Sequence, residues 1–318
     1  MSDDNEEVEF REMTLIVCSD GTKSKMYDKV WQPEKEVVEG DDVIFVSLNG
    51  KTGLINYFFD ELCPPKYDNA FQFYNGYACV ELNGLYGFID KSGNEICQIK
   101  YDNVWAFSEE GVALVSKDGK YGFIDTEGNE VCPVKYHIGG YIAGSVTDTN
   151  AFHDYVGFNI QNLTVITDEN GKQGFVNRFG QVIVEPQYDS VRLSYDIGID
   201  GRYIPFENDG KMGYLSCDGS IAMKADKYDE VDHFHNGYAC VMIDENRGFI
   251  NLDFQPICDL EYVTAFSFYN GDGAFVEKVS KIGPLQITTS GYINSDGILY
   301  KIIRREIRIG PFCFTLKF

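Results

Sequence analysis

The residues best suited to chemistry in this sequence are its nine cysteines and four histidines. Thiolates and imidazoles are the usual zinc ligands, but the chain has no Cys-x-x-Cys pair. Most of the cysteines instead recur in phase with a repeated pattern, which indicates a small apolar slot in a packed core, where a thiol behaves as a modest hydrophobe. We therefore predict structural roles for two phased groups: Cys63, Cys97, Cys132 and Cys258, each of which precedes a tyrosine by four residues, and Cys79 and Cys240.

A second candidate is the His233-x-His235 pair, with Asp229 and Asp232 close by. Alternation along a strand would point both imidazoles to one side, where a third ligand could complete a metal site. However, His235 stands where a sister copy of the pattern has Tyr74, which argues against a ligand position. We predict no metal ligand and no cofactor-binding residue in this chain.

The remaining motifs point to turns rather than to a reaction. Two Asp-x-x-Gly groups, Asp90 to Gly93 and Asp125 to Gly128, lack the acidic density of a calcium loop and suit turns instead. No Gly-x-Ser-x-Gly, P-loop or dinucleotide fingerprint is present. The sequence does not decide whether two carboxylates form a pair for glycoside hydrolysis, because that depends on their separation in the folded chain. We predict no catalytic residue and expect that the protein is not an enzyme.

These residues belong to a tandem repeat of about 35 residues, whose most regular copy runs from Asn83 to Gly119. Each copy combines an Asn-Gly or Asp-Gly pair, a Gly-Φ-Ile step in which Φ is a large apolar residue, a Lys-Tyr-Asp marker, and a Phe followed by Gly and small apolar residues. Because the three markers keep the same phase from copy to copy, the pattern is an internal repeat and not a chance similarity. The Gly-Φ-Ile, Val or Leu step begins at Gly53, Gly87, Gly122, Gly174, Gly213, Gly248 and Gly291.

The turn residues, and the alternation of side chains between two faces, predict that the repeat is all-β. A glycine at the same place in every copy indicates close approach by a neighbouring backbone or side chain. Pro64, Pro133 and Pro186 should lie at a strand start, an edge or a bulge, since proline lacks a donor. Five pairs suit two-residue hairpin turns, in which both residues have positive φ: Asn49-Gly50, Asn83-Gly84, Asp118-Gly119, Asn170-Gly171 and Asp209-Gly210.

With these markers the chain resembles the bacterial WG-repeat family, also called KWG repeats, over about residues 43 to 300. The stretch from Asp118 to Asp125, with Gly128, Pro133 and Tyr136, is most similar to the motif. The resemblance implies an all-β tandem array that serves as an interaction or scaffold module, and it implies little chemistry. The tryptophan of the motif is replaced in every copy, by Thr52, Tyr86, Tyr121, Gln173, Met212, Arg247 and Ser290.

We predict three segments: an N-terminal capping segment (1–42), the repeat array (43–300) and a basic C-terminal strand or cap (301–318). Unequal spacings favour an open, curved, solenoid-like array of β-hairpins. A closed β-propeller is the alternative, because the period is close to one four-stranded blade. The interval from Gly139 to Glu169 lengthens one period, and it is either a decayed repeat or a loop on the binding face.

Charge limits the class of partner. The net charge of −23 argues against nucleic acid and against an anionic membrane surface. The chain starts with acidic residues, unlike a secretory signal, and no apolar run reaches the roughly 20 residues that span a bilayer. We therefore expect a cytoplasmic protein with reduced thiols.

Our first hypothesis for function is a non-catalytic protein-interaction or scaffold module with an acidic surface, for which a basic protein partner is favoured. One version is an immunity protein that neutralises a basic toxin. The first alternative is a carbohydrate-binding or carbohydrate-acting protein, because Tyr and Phe near carboxylates suit sugar stacking. The second is self-association through sheet edges or through the C-terminal strand from Arg308 to Phe318. The oligomeric state stays open.

Overall fold

A computed structural model of the protein describes residues 16–18, 24–31, 43–56, 60–139, 162–194, 200–268, 273–309 and 312–317. These residues form antiparallel strands and no helix, as the turn chemistry predicted. The chain divides into two compact units. The described part of the first runs to residue 137 and includes 179–181, and the rest belongs to the second. Most of the predicted insertion (residues 140–161), and residues 1–15, lie outside the described part.

In the first unit the strands pair in chain order. The pairs and sheets are β1-β2, β3-β4-β5-β6, β7-β8-β9 and β10-β11-β12-β13. Their bounds are β1 Ile16–Cys18, β2 Ser24–Met26, β3 Lys29–Trp31, β4 Val43–Leu48, β5 Lys51–Asn56, β6 Glu61–Tyr67, β7 Asn69–Ala70, β8 Tyr77–Leu82, β9 Leu85–Asp90, β10 Asn103–Val104, β11 Val112–Lys117, β12 Lys120–Asp125 and β13 Glu130–Gly139.

The second unit repeats this order, as β14-β15-β16, β17-β18-β19-β20, β21-β22-β23 and β24-β25-β26-β27-β28. No described sheet closes into a barrel, which agrees with the predicted open arrangement of repeats. The bounds are β14 Leu163–Thr167, β15 Gln173–Asn177, β16 Val182–Tyr188, β17 Ser190–Val191, β18 Tyr203–Asn208, β19 Lys211–Ser216, β20 Ile221–Tyr228, β21 Glu230–Val231, β22 Tyr238–Ile243, β23 Asn246–Asn251, β24 Thr264–Ala265, β25 Ala274–Ile282, β26 Leu285–Ile293, β27 Leu299–Ile309 and β28 Phe312–Lys317.

The core lies between neighbouring repeats, so each central hairpin is buried on both faces. In β9, Phe88 and Ile89 point to opposite faces, yet each is only 1% exposed. Phe88 packs against Phe107, which lies between β10 and β11 of the next sheet, with ring centroids 4.8 Å apart. Ile89 packs with Tyr67 and Val80 on the side of the preceding repeat. A repeat therefore depends on its neighbours to bury its apolar surface.

The glycine of the Gly-Φ-Ile step is required by close packing, as predicted. A Cβ atom on Gly122 would lie 2.5 Å from the carbonyl oxygen of Cys132, and one on Gly174 would lie 2.1 Å from that of Val184. In both repeats the strand that follows the Gly-Φ-Ile strand (β13 or β16) bulges across the glycine. The proline of that strand falls within the bulge, as predicted for Pro133 and Pro186. The same holds for Pro64 in β6, where the register shifts.

Two repeats lack a continuous strand after the Gly-Φ-Ile strand. After Gly87 and after Gly248, the chain makes only isolated bridges, such as Tyr86–Tyr101 and Arg247–Tyr262. A Cβ atom on Gly87 would meet Cγ1 of Ile99 at 3.0 Å, and the nearest carbonyl oxygen, that of Gln98, would be 3.4 Å away. The array therefore contains a tight and a looser version of the repeat.

Four of the five predicted two-residue turns are confirmed, because both residues have positive φ at Asn49-Gly50, Asn83-Gly84, Asp118-Gly119 and Asp209-Gly210. The prediction for Asn170-Gly171 is wrong, since only the glycine has positive φ there. The physical reason is Asp168, whose carboxylate accepts the N–H groups of Asn170 (2.9 Å) and Lys172 (2.8 Å) and closes a longer loop. Asp90 and Asp125 close their turns in the same way, which confirms the turn interpretation.

Candidate interaction surface: the hairpin edge

One edge of each compact unit gathers the two-residue turns and the aspartates of the Tyr-Asp markers. We call this surface the hairpin edge. In the first unit its members are Asp28, Asn49, Asp68, Asn83, Asp102 and Asp118, and in the second they are Asp189, Asp209, Asp229, Asp244 and Glu245.

Each marker aspartate holds the turn of the following hairpin. A carboxylate oxygen of Asp68 accepts the backbone N–H of Asn83 at 2.6 Å, and one of Asp102 accepts that of Asp118 at 2.6 Å. Such hydrogen bonds to a charged acceptor are stronger than neutral ones. In the second unit, Asp209 and Asp244 are held the same way by Asp189 (2.7 Å) and Asp229 (2.8 Å).

In several repeats, the lysine that follows the turn forms an ion pair with the marker aspartate further along the same repeat. Lys211 donates to the other carboxylate oxygen of Asp229 at 2.5 Å, and Lys172 donates to Asp189 at 2.6 Å. The hydrogen bond from Lys211 and then the one from the Asp244 amide lower the pKa of Asp229. The pKa of Asp189 is lowered in the same way by Lys172.

The turn residues themselves give the hairpin edge its negative charge. Asp118, Asp209, Asp244 and Glu245 are exposed, and the marker aspartates accept the backbone N–H groups of the first three. The carboxylate of Asp209 also accepts the side-chain amide of Asn208 at 3.1 Å. In the repeat that contains Asp102, Leu85 takes the place of the lysine. Carboxylates fixed on rigid turns can contact a cationic partner with little loss of conformational entropy.

Sequence reasoning missed one copy of the marker. Tyr27 is buried, and Asp28 accepts the N–H of Asn49 at 2.7 Å, as the other marker aspartates do for their turns. The signal was the Tyr-Asp pair itself. The separation of 21 residues to the turn, against 15 for Asp68 and Asn83, concealed it.

The phased cysteines lie in the core between repeats, as predicted. Cys63, Cys79, Cys132 and Cys240 are buried, and Cys97 and Cys258 are half-buried. Burial raises the pKa of Cys240 to about 12 and that of Cys258 to about 11, so both stay as thiols at neutral pH. Within the described residues, no group of three or more His, Cys, Asp or Glu side chains is placed to hold a metal ion.

The prediction that His233 and His235 alternate on a strand is wrong. β21 ends at Val231, and the turn at Asn236 and Gly237 folds His235 back to bridge with Tyr238. His235 is buried, in line with its equivalence to Tyr74, which makes the same bridge with Tyr77. Burial, followed by the nearby His235, lowers the pKa of His233 to about 4, so this imidazole is neutral at pH 7.

Four stretches of the chain match a family model described as WG containing repeat: residues 53–86, 86–121, 174–211 and 218–246. The chain belongs to the WG-repeat family. No curated protein matches it. Among solved structures, one titled "Crystal structure of the eukaryotic initiation factor" aligns over 95% of each chain, with 8% identity and a TM-score of 0.30. A likeness at that level carries no argument about fold or function.

The WG-repeat register shows what replaces the tryptophan of the motif. The position before the glycine pairs across the sheet with the marker tyrosine in six copies, for example Tyr86 with Tyr101 and Met212 with Tyr228, while Ser290 pairs with Arg304. Its occupants pack or pair locally: Met212 is 1% exposed, and Arg247 forms an ion pair with Glu230 at 3.1 Å. This position is therefore buried or half-buried in every copy of this WG-repeat protein. None of the described elements is an apolar helix long enough to cross a membrane.

Proposed function

We propose that this WG-repeat protein is a non-catalytic interaction or scaffold module that binds a basic protein partner through the hairpin edge. The observation that carries the proposal is the set of exposed carboxylates at three of the turns, on Asp118, on Asp209 and on Asp244 with Glu245, where the marker aspartates hold the backbone in place. The net charge of −23 adds long-range attraction for a cationic protein. A toxin-neutralising immunity protein is one form of this function. The free thiols suit the cytoplasm.

The test compares two triple variants of the second unit with equal charge. The first, Asp209→Asn, Asp244→Asn and Glu245→Gln, neutralises the hairpin edge and keeps the turn hydrogen bonds, which use backbone N–H groups. The second, Asp226→Asn, Asp253→Asn and Asp259→Asn, removes exposed carboxylates elsewhere. The partner is captured from a lysate of the source cell at low salt, purified and titrated against the three proteins.

We expect the edge variant to bind the partner about tenfold more weakly, and the control variant to bind as the unmodified protein does. Added salt should weaken binding mainly by slowing association. An equal loss of affinity in both variants would mean that net charge alone, and not the hairpin edge, determines binding. Binding that ignores salt, or no basic partner at low salt, would contradict the proposal.

A carbohydrate ligand is the second candidate, and one observation favours it. A row of rings crosses the last sheet, with Phe266 and Phe275 centroids 5.7 Å apart and Phe275 and Tyr292 centroids 5.8 Å apart. Phe266 is 56% exposed. The marker tyrosines, by contrast, are buried and cannot stack on a sugar. A glycan array in which Phe266→Ala removes every hit would support this function, and an array without hits would remove it.

A further inference from the structure

The last strand, β28, is at the edge of its sheet in the described part of the chain. It pairs with β27 in an unbroken register from Arg304–Lys317 to Ile309–Phe312, and no strand within the described residues pairs with its other side. All six of its residues are exposed. Every second backbone N–H and C=O group along this edge is therefore free to pair with another chain.

β28 carries little of the protection that edge strands normally have. Natural edges are blunted by prolines, bulges or charges in the middle of the strand. Here Phe312 to Leu316 is uncharged, the pairing with β27 has no bulge, and the single charge, Lys317, lies at the end. An unprotected edge of this kind is suited to pairing with a further strand.

One face of this edge is apolar except for Arg305, which lies beside Leu316. The register places Phe312 beside Ile309, and Phe314 beside Ile307, which itself lies beside Ile287. Phe312 is 66% exposed and Phe314 is 58% exposed. An apolar patch that continues across three strands marks an interaction site.

The opposite face is basic. Arg304, Arg308 and Lys317 lie on it, together with Glu306, which forms an ion pair with Arg304. Residues 301–318 carry five cations and a single acid, while the chain as a whole has a net charge of −23. This face is therefore opposite in sign to the rest of the protein.

We propose that β28 is a docking site for an extended segment of an acidic partner protein, in which carboxylates alternate with apolar residues. The segment adds to the sheet as a further strand, which is a known mode of peptide recognition. Its apolar side chains cover Phe312, Phe314 and Leu316, and its carboxylates face Arg304, Arg308 and Lys317. A second copy of β28 fits less well, because it would bring another lysine and more arginines to a basic face.

This inference does not rest on the proposed function, because the hairpin edge is a different surface with the opposite charge. The test uses the full chain and three fluorescent octapeptides: alternating Val-Glu, alternating Val-Lys, and a block of four Val followed by four Glu. Anisotropy gives the affinity, and hydrogen exchange reports the amides of Phe312 to Lys317. Two single variants, Phe314→Lys and Arg308→Glu, change exposed side chains on the two faces.

We expect the alternating Val-Glu peptide to bind at least tenfold more tightly than the other two and to slow exchange of the β28 amides. Each variant should weaken it at least tenfold, and circular dichroism should show that the variants remain folded. Equal binding of the block peptide would overturn the proposal in favour of simple charge attraction. Absence of binding at millimolar peptide would also overturn it. So would concentration-dependent self-association that Phe314→Lys abolishes, since the occupant would then be a second copy.

Discussion

The glycine of the Gly-Φ-Ile step allows a sharp test of how the repeats pack. In Gly122→Ala, the new Cβ atom would lie 2.5 Å from the carbonyl oxygen of Cys132 and 2.8 Å from the backbone of Pro133. Both neighbours are backbone atoms in a bulge, so β13 must move. Overpacking of this kind costs about 1–3 kcal/mol, more than the roughly 0.4–1 kcal/mol that alanine contributes by restricting the unfolded chain.

Gly87→Ala is the matched control in the same compact unit. Its Cβ atom would meet Cγ1 of Ile99 at 3.0 Å and the Cα atom of Ile99 at 3.1 Å. These contacts are longer than those at Gly122, and this segment is held by isolated bridges instead of a continuous strand, so it can shift by the few tenths of an ångström that are needed. We expect Gly87→Ala to change the free energy of unfolding by less than about 1 kcal/mol.

The assay is urea unfolding followed by the fluorescence of Trp105, which is buried and has its ring centroid 6.1 Å from that of Tyr121. The parent protein and both glycine variants carry Trp31→Phe, so that Trp105 is the single tryptophan in each. A loss in Gly87→Ala as large as that in Gly122→Ala would refute the distinction between tight and looser repeats. A neutral Gly122→Ala would refute the close-approach argument itself.

Two further predictions concern pH and thiol reactivity. Lys211 and the Asp244 amide lower the folded-state pKa of Asp229, so the stability from this group is present above its ordinary value of 3.8 and is lost as pH falls through the lower value. We expect Asp229→Asn to be less stable at neutral pH and to lose less stability between about pH 4 and pH 2, measured by urea unfolding at each pH; an unchanged pH slope would contradict this. At about pH 8, iodoacetamide should label exposed Cys313 first and Cys240 only as the protein unfolds, because burial raises the pKa of Cys240 to about 12. Mass spectrometry of the labelled peptides measures this, and equal rates would count against it.

The sequence predicted the repeats because their constraints are local or recur in phase. The positive φ of Asn83-Gly84 follows from the dipeptide, and the closeness at Gly122 follows from a glycine that every copy keeps. Asn170-Gly171 shows the limit of this reasoning: the same dipeptide adopts another turn because Asp168 precedes it and competes for the N–H groups.

The hairpin edge could be predicted only in part. The Tyr-Asp marker was visible, but its role was not, because Asp68 acts on a turn 15 residues further along the chain and only strand pairing brings the two together. The C-terminal strand from Arg308 to Phe318 was one predicted contact surface, but which of its residues are exposed could not be predicted from the sequence. Phe312 and Phe314 read as ordinary strand residues, and their exposure depends on what packs around them.

The marker aspartates also decide where such a chain can be cut or duplicated. Asp68 follows the tyrosine of one repeat, yet its carboxylate completes the turn of the next. A truncation that removes the chain up to and including Asp68 would leave the N–H of Asn83 without this acceptor, although the motif that follows would look intact. Gene segments that end after the aspartate can be inserted or lost as whole modules, since each brings the group that its successor needs.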